Sequence, residues 1–218
     1  MKQIIVPFLA LNSDFPALAD VSAMLDNLNV RNSISEVNWN TFPYKPSVEF
    51  SIGYTEKELL IKYYVREEYF KAEKTLTNEN VFEDSCVELF IAPSDDGIYY
   101  NIEFNGIGTC LAGVGSSRHD RIRLDAALID TIRRESSAGK DPVAEIRQLY
   151  TWTLVAALPW SMFYLHKITS LQGKLLRANF YKCGDKLSVP HYLTWNPVTS
   201  GKPDFHRPEC FGGLKFPG

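Results

Sequence analysis

Polar and apolar positions alternate with a period of two along much of this chain. The pattern is clearest in residues 84–105 (DSCVELFIAPSDDGIYYNIEFN), which have the form strand, turn, strand around residues 93–97. Successive side chains of a strand point to opposite faces, so Val87 and Leu89 share one face while Glu88 lies on the other. This stretch therefore predicts a hairpin with one apolar row and one polar row of side chains.

The polar row contains more carboxylates and amides than a solvated strand face needs. Glu88 comes from the first strand, and Asn101 and Glu103 come from the second. Three interpretations are open at this point: an inert solvated face, a surface that binds sugar hydroxyls, and a glycosidase pair in which Glu88 and Glu103 supply acid and base. The pattern alone does not decide between them.

Strands also dominate the rest of the chain. Apolar residues recur at helical spacing from Leu18 to Leu28, and residues 126–134 form a second short helix or a strand. Roughly nine to twelve strands with turns at short intervals are typical of an all-β fold, an antiparallel β-sandwich with one or two short helices. No repeat or linker divides the sequence, so residues 1–218 are predicted to form a single domain. The clearest further strands are predicted at residues 48–54, 58–66, 150–158 and 175–183.

Composition narrows the classes of function. An aromatic fraction of 13% favours strands and aromatic-lined surfaces. A formal net charge of -3 does not favour binding to nucleic acid. No apolar run approaches the length of a membrane span, so no membrane partner is predicted. The first residues resemble a signal peptide only faintly, because Pro7 and Asp14 interrupt their apolar run. A cytoplasmic protein is therefore predicted.

Metal and nucleophilic chemistry have little support in the sequence. The four cysteines form no CxxC pair and the four histidines no HExxH spacing, and Cys86 is interpreted as a buried free thiol. No GxSxG motif occurs, and the turn at residues 95–97 offers too few oxygen ligands for calcium. A metal site from His191, His206 and a carboxylate is the one alternative left open, and no metal or cofactor is predicted.

A proline-rich loop near the C-terminus is the second candidate surface. Residues 195–208 bring Trp195, Phe205, His206 and Arg207 together with several prolines. Stiff loops that carry aromatic and guanidinium groups suit recognition, because little ordering entropy is lost on binding. The alternative is a strap that only packs over the edge of the sandwich.

Four segments of the chain resemble a known family: DSCVELFI at 84–91, YYNIEFN at 99–105, HYLTWNPV at 191–198 and PDFHRPECFGGLKF at 203–216. They are similar to family 9 carbohydrate-binding modules, and most of all to the stand-alone members of Bacteroides-type bacteria. The resemblance covers nearly the whole chain and implies a jelly-roll-like sandwich that binds a mono- or oligosaccharide. Because such modules often accompany xylanases, it also implies an association with the catabolism of xylan and other plant glycans.

The resemblance assigns roles to particular residues. In family members two tryptophans clamp a sugar while polar side chains bond its hydroxyls; Glu88 matches one polar position and Asn101 matches another approximately. The clamp positions hold Phe205 and Phe82, with Val81 in the stricter alignment of the second, so both lack tryptophan. Phenylalanine stacks on a sugar with a smaller ring and without an indole N–H. Family members also carry structural calcium, for which this chain shows no clear ligand set.

The leading prediction is a non-catalytic sugar-binding protein. Two alternatives remain: a glycoside hydrolase that uses Glu88 and Glu103, and a scaffold whose pocket is filled by its own side chains. The sugar and the oligomeric state are not predicted. The predicted binding residues are Phe82, Glu88, Asn101, Glu103, Arg118, Trp195, Phe205, His206 and Arg207.

Overall fold

The structure is a computed structural model that describes residues 1–10 and 13–218. In this part of the chain there are two short α-helices, α1 (Leu18–Asn27) and α2 (Ala126–Ile129), and none is long and apolar enough to cross a membrane. The described strands are β1 (Gln3–Ile5), β2 (Asn32–Ser33), β3 (Glu36–Val37), β4 (Ser47–Tyr54), β5 (Glu58–Ala72), β6 (Cys86–Ala92), β7 (Tyr99–Asn105), β8 (Cys110–Gly115), β9 (Ile122–Arg123), β10 (Arg133–Ser136), β11 (Val143–Pro159), β12 (Leu175–Cys183), β13 (Tyr192–Thr194) and β14 (Gly212–Lys215).

These strands form two sheets, which confirms the predicted β-sandwich. The first sheet has the order β1-β14-β12-β6-β7-β8-β9, with β13 and β3 attached beside β12; the second has the order β10-β11-β5-β4-β2. Among the described strands every pair is antiparallel except β1 with β14, which is parallel. The predicted hairpin is present as β6 and β7, at the centre of the first sheet.

The alternation of β6 and β7 places their apolar row between the two sheets. Val87 and Leu89 are fully buried there, in a core that also receives Phe50 of β4 and Phe180 of β12. The phenyl rings of Phe50 and Phe180 stack across the sandwich, with centroids 3.8 Å apart. Because period-two patterning fixes which residues share a face, the polar row must lie on the outer face of this sheet.

The outer face is not solvated, which rules out the simplest interpretation of the polar row. Glu88 and Glu103 are each 2% exposed, and Asn101 is fully buried. A second apolar cluster, which includes Phe90 and Tyr181, covers the sheet around them. The loop between β13 and β14 adds Val198, Phe205 and Phe211 to this cluster.

A buried ion pair fastens the two sheets next to the polar row. The Lys182 ammonium lies 2.9 Å from Glu67 Oε2 and 2.8 Å from His191 Nε2, and the indole N–H of Trp152 donates to Glu67 Oε1 at 2.7 Å. Lys182 projects inward from β12, so its neighbours in sequence project outward. This register is what turns Tyr181 and Cys183 toward the polar row.

Two strands extend further than their alternation predicts. β5 continues to Ala72 and β11 begins at Val143, whereas the sequence pattern supports only residues 58–66 and 150–158. Irregular register between β11 and β5 interrupts the period of two in the extensions, and most of residues 143–151 is exposed or half-exposed. The helix predicted from the apolar spacing between Leu18 and Leu28 is present as α1.

Candidate functional site

A cleft of about 90 Å³ lies on the outer face of the first sheet, between the ends of several strands and the loop that follows β13. Its floor is the polar row of β6 and β7. The residues that line it are Phe82, Glu88, Phe90, Glu103, Arg118, Arg121, Cys183, Asp185, Tyr192, Pro203, Asp204, Phe205 and His206.

A larger cavity of about 600 Å³ lies elsewhere, bordered by Phe8, Tyr54, Trp160 and Pro217. None of the residues predicted from the sequence to bind a ligand lines it. The smaller cleft is the better candidate site, because buried titratable groups with shifted pKa values converge there.

The floor of the cleft is built by Glu88 and Glu103, which lie directly opposite each other on β6 and β7. Glu88 Oε1 accepts from the Cys183 thiol at 3.1 Å, and Glu103 Oε1 accepts from Asn101 Nδ2 at 2.8 Å. Arg121 Nη1 lies 3.8 Å from the same Glu103 oxygen. Among the described residues, Glu103 Oε2 is buried without a hydrogen-bond partner. An unpaired buried acceptor is costly, so Glu103 carries an unmet hydrogen bond at the floor of the cleft.

Burial and mutual repulsion shift the titration of this carboxyl pair. Burial raises the pKa of Glu88 well above its usual range, and the negative charge of Glu103 raises it further. Burial also raises the pKa of Glu103 to about 7, although Arg121 and the hydrogen bond from Asn101 act in the opposite direction. The pair therefore retains a proton near neutral pH, and a protonated carboxyl both donates and accepts a hydrogen bond.

One wall of the cleft is a hydrogen-bonded chain from Tyr99 through His206 to Arg121. His206 Nδ1 lies 2.8 Å from the Tyr99 hydroxyl, and His206 Nε2 lies 3.0 Å from Arg121 Nη1. A guanidinium only donates, so Nε2 must accept and the ring proton must reside on Nδ1. Burial, followed by the charges of Arg121 and Arg118, lowers the pKa of His206 to about 3. The imidazole is therefore neutral and holds Arg121 over the carboxyl floor.

Aromatic rings border the cleft at the two positions where the resemblance implies a clamp. Phe205 lies flat on Tyr181, with ring centroids 4.2 Å apart and 10° between the planes. Phe82 belongs to a 3-10 turn that precedes β6, and its half-buried ring packs against the same outer cluster. Both rings border the cleft, but one face of Phe205 is already covered by the protein.

The structure brings six of the nine predicted binding residues together at the cleft. Phe82, Glu88, Glu103, Arg118, Phe205 and His206 all line it. Arg118 stands at the mouth, 54% exposed and 3.5 Å from Asp204 Oδ1. Asn101 does not line the cleft but lies under its floor, where it orients Glu103.

The other two predicted residues are placed differently. The Trp195 backbone N–H donates to the carbonyl of Phe180, which turns the indole inward, edge-on to Phe50 and Phe180 in the sandwich core. Arg207 turns outward and pairs with Glu209, with Nε 2.6 Å from Oε1. Packing and a local ion pair therefore hold the side chains of Trp195 and Arg207 away from the cleft, where both were expected to contact a ligand.

Several lining residues were missed from the sequence. Phe90 lies two positions after Glu88 and so shares its face, a signal that was present in the alternation. Arg121 lies in the loop between β8 and β9, and Asp185 in the turn that follows β12. Tyr192 lies at the start of β13, a strand attached at the side of the first sheet. Only tertiary contacts bring these three residues to the cleft.

The arrangement of the two carboxyls does not support the hydrolase alternative. A glycosidase needs its two carboxyl groups on either side of the bond that it cleaves, about 5 to 9.5 Å apart. Glu88 and Glu103 project from directly opposed positions on one sheet face, at the floor of the cleft. Both carboxyls would therefore lie on the same side of a bound sugar.

Metal binding depends on which ligand atoms the fold brings together. The alternative site at His191 and His206 is not formed, because Lys182 and Arg121 donate to the respective Nε2 atoms. In the described part of the chain, the group of ligand atoms that could hold a metal consists of Cys86, Glu88 and Cys183. Calcium prefers six to eight oxygen ligands, so this group does not suit the structural calcium that the family resemblance implies.

Comparison with known proteins adds independent information. The model of carbohydrate-binding family 9 matches residues 19–216. The crystal structure of a proposed carbohydrate-binding protein from Bacteroides uniformis has a TM-score of 0.94 and 37% sequence identity, with 99% of each chain covered. No curated protein sequence matches the chain.

Two further structures come from a family 9 carbohydrate-binding module of Caldicellulosiruptor kristjanssonii. The complex with cellotriose has a TM-score of 0.58 at 14% identity, covering 100% of this chain and 94% of the other. The complex with glucose has a TM-score of 0.53 at 12% identity, covering 100% and 96%. At these identities the similarity is one of fold.

Proposed function

Because the chain belongs to carbohydrate-binding family 9, we propose that it binds a mono- or oligosaccharide in this cleft without cleaving it. The observation that carries the proposal is the buried carboxyl floor, where Glu103 Oε2 has no partner among the described residues. A sugar hydroxyl that donates to this oxygen replaces a missing hydrogen bond. Glu88, opposite it, offers a second carboxyl to the neighbouring hydroxyl.

The walls supply the complementary groups. Arg121 and, at the mouth, Arg118 donate hydrogen bonds to hydroxyl or ring oxygens, because a guanidinium carries several N–H groups in a fixed plane. Phe82 and Phe205 contribute apolar contact to the C–H faces of the ring. A pocket with acceptors on its floor, donors on its wall and aromatic rims matches the alternating polarity of a sugar.

The size of the cleft restricts how much of the ligand enters. Its volume of about 90 Å³ is equivalent to about three water molecules at roughly 30 Å³ each. Such a space accepts one edge of a sugar ring, with the rest of the ring between the aromatic rims and solvent. We infer a weak site for the end of a saccharide, and a plant glycan such as xylan or a β-glucan is the proposed source.

Calorimetry on the purified chain tests the proposal, with xylose, glucose, xylotriose and cellotriose as ligands. At least one is expected to bind, and Glu88→Ala is expected to weaken binding by up to about tenfold, since it removes a hydrogen-bonding partner and a net hydrogen bond contributes about 0.5–1.5 kcal/mol. Glu135→Ala, which removes an exposed carboxyl that lines neither the cleft nor the larger cavity, is the matched control. The proposal fails if no ligand binds at millimolar concentration or if both variants bind like the wild type.

A further inference from the structure

We propose that Cys86, Cys183 and Glu88 form a binding site for a thiophilic divalent cation, best matched by Zn²⁺, at the inner end of the cleft. The ligand atoms of these three residues all lie within 4.8 Å of one another. All three side chains are buried, with Glu88 the most exposed at 2%. The site goes beyond sugar binding and does not depend on it.

Strand register creates the cluster from residues that are distant in the sequence. Cys86 and Glu88 are two positions apart on β6, so they share its outer face. Cys183 lies directly opposite Cys86 on β12, and its sulfur is 3.1 Å from Glu88 Oε1. Two thiols and a carboxylate thus converge from adjacent strands of one rigid sheet, without any contribution from a flexible loop.

The cleft provides an entry path and a water ligand. Cys183 and Glu88 line the cleft, so an ion from solvent reaches the cluster through it. Two sulfurs, one carboxylate oxygen and a water from the cleft make a four-coordinate set, as in zinc sites with three protein ligands.

The choice of ion follows from ligand type. Thiolates are soft ligands that select zinc, and cadmium as its spectroscopic substitute, over calcium or magnesium, which prefer oxygen. Zinc–sulfur bonds are about 2.3 Å long, so the present spacing needs only side-chain adjustment. On binding, the protons of the two thiols and of the Glu88 carboxyl leave to solvent, and two thiolates and one carboxylate bind the cation.

Metal and sugar would share Glu88, which links the two sites. A cation that binds the Glu88 carboxylate removes an acceptor from the floor of the cleft. Metal loading is therefore expected to weaken sugar binding, but the metal itself is measured without sugar. Failure of this proposal and failure of the sugar-binding proposal are consequently distinguishable.

The test is a titration of the reduced, metal-free full chain with Cd²⁺ and Zn²⁺. One equivalent of Cd²⁺ is expected to produce the ultraviolet thiolate-to-cadmium charge-transfer band, and calorimetry should give one Zn²⁺ per chain. Cys183→Ser and Cys86→Ser are expected to lower the affinity by roughly a hundredfold or more, since even outer-shell changes cost 10- to 100-fold. Cys210→Ser, which alters a half-buried thiol outside the cluster, should bind like the wild type.

If a serine variant does not fold, the wild-type protein alone still tests the proposed metal site. X-ray absorption of the zinc-loaded chain should show two sulfur ligands and additional light-atom ligands. The proposal is overturned if the reduced wild type binds no stoichiometric metal, if sulfur is absent from the coordination shell, or if folded Cys183→Ser retains full affinity.

Discussion

Glu88 and Glu103 face each other across the central strand pair of the first sheet, and each is only 2% exposed. Two ionised carboxylates so close and so buried repel each other, and ionisation of either one is opposed by desolvation. This pair of carboxyls lies at the floor of a cleft. Carboxyl groups whose ionisation is destabilised in this way are typical of functional sites.

The buried pair should make stability depend on pH. In the folded chain the pKa of Glu103 is about 7, whereas an unfolded glutamate titrates near 4.3. Below about pH 4.3 Glu103 is protonated in both the folded and the unfolded chain. Between about pH 4.3 and pH 7 it loses its proton in the unfolded chain but keeps it in the folded chain. The contribution of Glu103 to the free energy of unfolding therefore falls as pH rises through this interval, by up to about 3 kcal/mol.

Urea unfolding of wild type and Glu103→Gln at pH 4.5, 6 and 7.5 checks this expectation. The difference in unfolding free energy, wild type minus variant, should decrease with increasing pH. Comparing the two proteins removes the opposite contribution of His206, whose folded pKa of about 3 makes stability rise with pH below about 6.5. A constant difference across the three pH values would contradict the assignment of the raised pKa to Glu103.

The Tyr99–His206–Arg121 chain predicts one tautomer of His206. Nitrogen-15 NMR should show a proton on Nδ1 and none on Nε2 at neutral pH, because Arg121 donates to Nε2. The ring should stay neutral down to about pH 4, since the pKa of His206 is about 3. In Arg121→Ala the loss of the neighbouring positive charge should raise that pKa, and an Nε2–H tautomer in the wild type would refute the chain.

Truncation of Trp195 should lower the free energy of unfolding, whereas truncation of Phe205 should lower sugar affinity. Trp195→Ala opens the sandwich core beside Phe180 and should lower the free energy of unfolding by about 3–5 kcal/mol, without changing the sugar affinity of the folded protein. Phe205→Ala removes a cleft wall and should weaken sugar binding on the order of tenfold. If Trp195→Ala does not fold, Trp195→Phe replaces it in the test. A loss of sugar affinity without a loss of stability in either Trp195 variant would contradict the placement of Trp195 in the core.

Removing one partner of the buried Lys182–Glu67 ion pair should destabilise the fold more than removing both charges. Lys182→Met leaves the Glu67 carboxylate without its cation and should cost about 3–5 kcal/mol of unfolding free energy in urea. The double variant Lys182→Met/Glu67→Gln should recover part of this loss, because the uncompensated charge is gone. Lys45→Met, at an exposed position, is the control and should change stability by less than about 0.5 kcal/mol. Equal losses in the single and double variants would show that the charge is not the cause.

Much of the fold follows from short-range pattern. The hairpin of β6 and β7 lies at its predicted position, and β12 covers Leu175–Cys183 as predicted. The family resemblance, carried by the segments around Glu88 and Phe205, is confirmed by the match over residues 19–216. The extension of β11 back to Val143 was not predictable from alternation, because that half is polar and irregular in register.

The site was only partly predictable. Glu88 and Glu103 were identified because their shared face is a local property of paired strands, and Phe90 was within reach of the same argument. Arg121 was not, because nothing in its loop sequence indicates that it reaches the floor of the cleft, 3.8 Å from Glu103. Trp195 was assigned to the surface, although the bond from its backbone N–H to Phe180 sends the ring into the core.

The sequence by itself determined which side chains share a strand face, because a period of two is built into the backbone. It therefore determined that Glu88 and Glu103 form one row on the face opposite Val87. Only the tertiary structure decided that this row is buried, that a histidine holds an arginine above it, and that Cys86 lies beside Cys183. Those outcomes depend on contacts between distant segments, and alternation along one strand contains no information about what packs against it.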